Sequence, residues 1–278
     1  MKKGKWLLSL AVVGLVTIAG CGNSEGSADN SEDTTVQLGV VGADTDVWDD
    51  VQERLADEGI DLEYVEFTEY SQPNTALENG DIDLNSFQHQ DFLDNYNDES
   101  GADLVSIGNT VNAPLGVYSE KITDLDELED GDEIAIPDDV TNGGRALKLL
   151  QTADLITLDE DAQNPTTSDI TENPQNLEIT ELEASQTARS MEDVDASVVN
   201  SGMAVDAGLS PNEDAIYLEP VDDTSRPYVN IIAARKEDED NEVYQKVVDT
   251  YQTEQTAEVI EETSNGADIP AWEEFGRK

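Results

Sequence analysis

The chain of 278 residues has one cysteine, one histidine and only fourteen lysine plus arginine residues, and aromatics make up 5% of it. A single thiol excludes an internal disulfide and any paired-cysteine metal or redox motif. The single imidazole, His89, stands in no recognisable Ser or Cys nucleophile motif, and neither a Walker loop nor an HExxH pair is present. The acidic run 237–242 lacks the glycine and terminal glutamate of an EF-hand loop. No catalytic set, metal site or cofactor is therefore expected, and the chain does not read as an enzyme. The shortage of cations, against 64 acidic residues and a net charge of −50, makes nucleic acid and anionic membrane surfaces poor partners, since phosphate binding needs positive charge.

What is abundant is carboxylate, spread along the chain rather than gathered in one tail. Self-repulsion should be severe at low ionic strength and weak at high. The Debye length falls from about 10 Å at 0.1 M salt to about 3 Å at 1 M. A salt-adapted source and a halophilic acidic surface are expected. Thermal melts in rising NaCl or KCl should then show the melting temperature climbing into the molar range, and a flat or falling series would remove this reading.

The first residues are an address. Lys2, Lys3 and Lys5 form a positive n-region, and 6–18 is an apolar h-region too short for a comfortable membrane span. Ile18-Ala19-Gly20-Cys21 follows, which resembles a bacterial lipobox with the sole cysteine at its last position. Residues 1–20 are read as a lipoprotein signal peptide, cleaved before Cys21, whose sulfur then takes a diacylglycerol. Two or more acyl chains, palmitate included, anchor stably where one does not. Residues 21–35 carry no apolar periodicity and read as a flexible, self-repelling tether.

From residue 36 onward strands and helices alternate. A strand over 36–41 closes at Gly42. A helix carries Val47, Trp48, Val51 and Leu55 and stops by Gly59. Further strands are expected over 60–67, before Phe87 and over 104–111, with a short helix over 73–78 and a helix over 90–96. This set predicts a largely parallel sheet covered on both faces. A second alternating set follows, with strands over 133–136, 177–182, 196–199 and 215–218, a helix over 141–153 and a loop over 154–174. The strand 228–234 and two last helices should rejoin the first set, giving two lobes joined by two crossovers.

Some residues stand out against this frame. Phe87, His89 and Phe92 lie where a strand hands over to a helix, the edge at which open α/β sheets bind ligands. Packing at a strand end accounts for them equally well. Thr141-Asn142-Gly143-Gly144-Arg145 opens a helix, whose early amides and positive end, with an arginine one turn in, suit a carboxylate. A plain N-cap with an arginine paired to one of many acids fits the same residues. Asn200 ends an apolar strand and Asn230 lies inside another, and each amide needs a partner, from a ligand or from a neighbouring loop.

Taken in order, the blocks EGIDLEYVEFTEYSQPNTALENGDIDLNSFQH, APLGVYSEKITDLDEL, IAIPDDVTNGGRAL, DITENPQNLEITELEASQTARSMEDVDASVVN and PYVNIIAAR resemble the methionine-binding lipoproteins of ABC importers, the NlpA lipoprotein family, over nearly the whole mature length. The resemblance implies a two-lobed periplasmic-binding-protein-like α/β fold of type II with the ligand cleft between lobes, residues 36–120 and 225–278 forming lobe 1 and 121–224 lobe 2. It implies a pocket of Tyr70, Phe87, His89 and Phe92 for the methionine side chain, and Asn142, Arg145, Asn200 and Asn230 for the charged end. It further implies a monomer on the extracytoplasmic face of the cell membrane, held by the Cys21 lipid, that delivers D- or L-methionine or a methionine-containing peptide to an ABC permease and its ATPase. A binding protein for another small amino acid or sulfur compound, or a surface adhesion protein on the same fold, are the alternatives. The chain departs from the family where Asp91-Phe92 replaces the usual Pro-Tyr, and where Val140 and Gly143 replace a proline and a larger residue.

Overall fold

The structure is a computed structural model that describes residues 34–42 and 45–278. The leader, Cys21 and the tether as far as residue 33 lie outside the described residues. Thr34 and Thr35, read as the end of the tether, instead begin the first strand, Thr34–Val41. They pair with Ile60 and Asp61 of the parallel strand Ile60–Phe67. β-Branched threonines suit a pleated ribbon, and a paired neighbour extends it past the apolar run.

Six strands make the first sheet, in the order Ile269–Pro270, Val105–Asn112, Val229–Ala234, Leu84–Asn85, Thr34–Val41 and Ile60–Phe67. Thr34–Val41 is parallel to both of its neighbours. The expectation of a largely parallel sheet holds only there. Val229–Ala234 arrives late in the chain and runs antiparallel between Leu84–Asn85 and Val105–Asn112. Parallel neighbours need a covering crossover, usually a helix, whereas a strand returning directly from another sheet can enter in the opposite sense.

Alternation sorts the side chains. Val36, Leu38 and Val40 are buried together with Trp48, Val51 and Leu55 of the helix Asp46–Ala56, Val247, Val248 and Tyr251 of Glu242–Tyr251, and Ile260 of Glu254–Thr263. On the opposite face Leu77, Ile82, Leu93, Leu104 and Ile231 form a separate core. Each such fully buried aliphatic chain contributes about 1.5–3 kcal/mol, which matters in a chain without a disulfide.

The second sheet has the order Tyr217–Leu218, Gly116–Tyr118, Ala196–Val199, Glu133–Pro137 and Glu178–Leu182. Its core takes Ala146, Leu147, Leu149 and Leu150 from the helix Val140–Thr152. The segment 154–174, read as loop, folds in part into a small hairpin of Thr157–Leu158 and Ile170–Glu172. Leu155, Ile156 and Leu158 tie it to the second core, an anchoring that polar composition and two prolines concealed. Two connections join the sheets, one after Asn112 and one between Leu218 and Val229. An apolar seam runs between the two lobes, where Val41 and Tyr70 pack on the cluster that holds Tyr118, Val199 and Met203. Among the described residues no helix is long and apolar enough to cross a membrane, and no group of side chains is arranged to hold a metal ion.

Gly143 has a structural reason. A Cβ there would lie 2.8 Å from the carbonyl oxygen of Pro137, at the end of the strand Glu133–Pro137. The helix Val140–Thr152 therefore starts closer to its strand than any side chain would allow. Gly143→Ala is expected to destabilise by about 1–3 kcal/mol through overpacking, read as an earlier denaturation midpoint at unchanged slope.

Candidate functional site

The site lies where the C-terminal ends of Thr34–Val41 and of the short strand Leu84–Asn85 face the helix starts of the second lobe. The turn after Leu84–Asn85 is fixed by a buried amide cluster. Asn74 Nδ2 donates to Gln88 Oε1 (2.7 Å), while Asn85 Nδ2 (2.9 Å) and Gln88 Nε2 (2.6 Å) both donate to Asn74 Oδ1. The next residue, His89, pairs its backbone antiparallel with Asn230 and caps the helix Gln90–Ser100, its Nδ1 accepting from the amide of Phe92 at 3.1 Å.

That cap settles the tautomer. Nδ1 accepts, so the proton sits on Nε2, which donates to Asn142 Oδ1 at 3.3 Å. Burial first, and the Arg145 charge second, push the imidazole down from 6.5 to about 3, with the Asn142 bond opposing. His89 is a neutral donor across physiological pH. Because its folded-state pKa lies below the unfolded value, its contribution to stability is full above pH 6.5 and is lost as pH falls from there toward 3, by at most about 1.4 kcal/mol per pH unit. His89→Gln should therefore show a flatter fall of melting temperature than the native chain between pH 6 and pH 4. Equal slopes would mean that the ring titrates freely.

Polarity is passed from residue to residue across the cleft. Asp139 caps the helix Val140–Thr152, accepting from the Asn142 amide (2.9 Å) and the Thr141 hydroxyl (3.0 Å). Its carboxylate also accepts both bonds from Asn142 Nδ2, at 3.1 and 3.0 Å. Burial raises its pKa, opposed by these donors. A carboxylate only accepts, so the Asn142 amide nitrogen must face it and Oδ1 must face the other way. There Oδ1 takes the His89 Nε2 proton and Asn200 Nδ2, the latter at 2.8 Å. Asn200 Oδ1 is thereby turned outward, buried and without a hydrogen-bond partner. The sequence left this helix start open between a ligand carboxylate and a plain N-cap. The Asn142 amide goes to the Asp139 carboxylate and the Gly143 amide to the Asp139 carbonyl, so these amides serve the cap.

Arg145 is 3% exposed. Its Nε and Nη2 bind the carboxylate of Glu219 at 2.5–3.1 Å, and Nη2 also donates to the Ala113 carbonyl at 2.9 Å. The guanidinium lies over the Tyr228 ring, 4.5 Å from its centroid. Nη1 has no hydrogen bond to a described residue. The remaining site residues form an aromatic wall. Tyr70, Phe87 and Phe92 meet pairwise with centroids 5.8–6.2 Å apart, and His89 stands edge-on to Phe92 and Tyr228.

One cavity of about 160 Å³ is lined by Tyr70, Phe87, His89, Phe92, Asn142, Arg145, Asn200 and Asn230 together, the eight residues that the resemblance assigned to the ligand. Gln88, Met203 and Asp268 line it as well, and sequence reasoning missed them. It also missed Asp139 and Glu219, which act from behind. Asp139 carried a signal, an acid just before a helix start. Glu219 and Asp268 were two acids among 64.

A two-lobed α/β scaffold with one small, polar-ended and ring-walled cavity between its sheets defines a protein of the substrate-binding type. The sequence model of the NlpA lipoprotein family matches residues 36–272, and the chain belongs to that family. The D-methionine-binding lipoprotein MetQ of Salmonella typhimurium is 42% identical over 268 residues, covering 94% of this chain and 96% of the relative. Among solved structures, a nutrient-binding protein from Burkholderia cenocepacia bound to methionine is 42% identical, with a TM-score of 0.82 over 85% of this chain and 99% of that one. The substrate-binding protein of a methionine transporter from Streptococcus pneumoniae is 43% identical, with a TM-score of 0.81 over 86% and 96%.

Proposed function

We propose that this protein is a lipid-anchored solute-binding protein that captures methionine outside the cytoplasmic membrane and delivers it to an ABC permease and its ATPase. The observation that carries the reading is the convergence of three aromatic rings and a polar end on one cavity of about 160 Å³. Pockets that take drug-sized ligands run to about 300–1,000 Å³, so this one suits a single free amino acid better than a peptide. Tyr70, Phe87 and Phe92 offer faces and edges to a thioether, each favourable sulfur–ring contact adding about 0.3–1.5 kcal/mol. Neutral His89 and the amides of Asn142, Asn200 and Asn230 surround the opposite end, with Arg145 Nη1 left for the ligand's carboxylate. The names of the relatives support methionine as the solute, and the lipobox at Cys21 supports the anchor.

Lobe closure follows from the same contacts. The bond from His89 to Asn142, and one from the Ser201 hydroxyl to Asp268 at 3.0 Å, each join the first lobe to the second. A ligand that fills the space between them biases the clamp shut, and the shut form is the one for the permease to read. Calorimetry in molar salt with L-methionine, D-methionine and glycyl-methionine tests the proposal. Heat with a free enantiomer is expected. Silence with all three, while another amino acid or sulfur compound raises the melting temperature, would replace the solute; no response to any small solute would favour an adhesion role.

A further inference from the structure

Among the described residues, the charged side chains that line the cavity are Arg145 and Asp268. Arg145 meets a ligand's carboxylate; nothing assigned so far carries the matching negative charge. Asp268 lies between the helix Glu254–Thr263 and the edge strand Ile269–Pro270, whose pairing with Asn112 and Val111 of Val105–Asn112 holds the segment in place. One of its oxygens, Oδ1, accepts from Ser201, the residue after Asn200. Asp268 and Asn200 line the same cavity, and Ser201, which follows Asn200 in the chain, ties the two together.

The direction of Asn200 Oδ1 is not a free choice. Asp139 orients Asn142, Asn142 orients Asn200, and His89 agrees with both because its Nδ1 is taken by the Phe92 amide. Asn200 is 9% exposed and its Oδ1 has no partner. A buried acceptor left unmet costs about 1–3 kcal/mol, so the site is built to receive a donor there. A carboxylate accepts several bonds at once, which makes Ser201 and a cationic donor compatible partners for Asp268.

We infer that Asp268, with Asn200 Oδ1, holds the α-ammonium of the bound amino acid, so that the protein selects solutes with a free cationic amine and orients them amine toward Asp268 and acid toward Arg145. This rests on the amino-acid reading of the site. It has two consequences. N-acylated methionine, neutral at nitrogen and bulkier, is excluded although its side chain and carboxylate are intact. Asp268 also couples recognition to closure, since the carboxylate that meets the ammonium is the one that Ser201 grips from the other lobe.

The test compares Asp268→Asn with the native chain against two ligands, methionine and its des-amino analogue, by calorimetry and competition at fixed salt. Asparagine keeps an oxygen for Ser201, removes the charge and turns the second oxygen into an amide donor, which an ammonium cannot use. The native chain should prefer methionine to the des-amino acid and to N-acetylmethionine. The variant should lose about 10- to 100-fold for methionine, the range of a charge-assisted bond, and nothing for the des-amino acid. Equal losses for both ligands would make Asp268 a structural residue, and no loss for either would remove it from the site; both overturn the inference. If the native chain ignores methionine but binds another α-amino acid, the solute assignment fails alone, and the same comparison is made with that amino acid and its des-amino form. If it binds solutes irrespective of a free amine, the inference falls by itself.

Discussion

Arg145→Ala and Glu219→Ala are each expected to cost about 3–5 kcal/mol of folding stability, the range found when one member of a buried ion pair is removed and the other is left uncompensated. The pair is held by bonds of 2.5–3.1 Å. Glu219 is tied further to the backbone amide of Leu115 at 3.0 Å. The double variant should recover much of that loss, because no orphan charge remains. Binding should behave otherwise. Arg145→Ala and the double variant both remove Nη1 from the cavity and are expected to weaken the ligand by about 1.5–3 kcal/mol. Denaturant melts beside calorimetry on the three variants separate the two effects. A double variant that regained affinity along with stability would show that Arg145 is an internal strut and no part of the clamp.

Asp139→Ala is expected to lower stability by about 2–4 kcal/mol, combining a lost helix cap with buried donors on Thr141 and Asn142 left unmet. Its effect on binding is the sharper measurement. Without a carboxylate to face, the Asn142 amide is free to flip, and Asn200 can then turn a donor toward the ligand. Asp139→Asn retains an acceptor for the cap while giving up the fixed polarity, so it should keep most of the stability and still weaken binding about tenfold or more. Identical affinity in Asp139→Asn and the native chain would mean that the relay orients nothing.

The sequence spoke through apolar periodicity and through rare residue types. Val36, Leu38 and Val40 mark a buried strand, Trp48, Val51 and Leu55 a packed helix face, and these frame the first sheet. His89 and its flanking rings were conspicuous because nothing else in the chain looks like them, and all reach the cavity. What stayed hidden was pairing at a distance. The antiparallel entry of Val229–Ala234 depends on which sheet edge is open when the chain returns, and no local spacing encodes that. Glu219 and Asp268 matter because of what they face, and in so acidic a chain an acid in the site looks like any other. Gly143 read as a departure from the family; only the distance to Pro137 explains it.

The late arrival of Val229–Ala234 in the middle of the first sheet bears on how the protein is made. Until that segment has left the ribosome, Leu84–Asn85 and Val105–Asn112 lack the ribbon that lies between them, and the helices Glu242–Tyr251 and Glu254–Thr263, which pack on the Val36 face beside Asp46–Ala56, have not been synthesised. The second lobe, continuous in the chain, can mature on its own schedule, whereas the first must wait for the final fifty or so residues. Such non-local closure is slow and leaves sheet edges open in the interim. Under the proposed role outside the cytoplasmic membrane, that delay would keep the chain unfolded long enough to be threaded through.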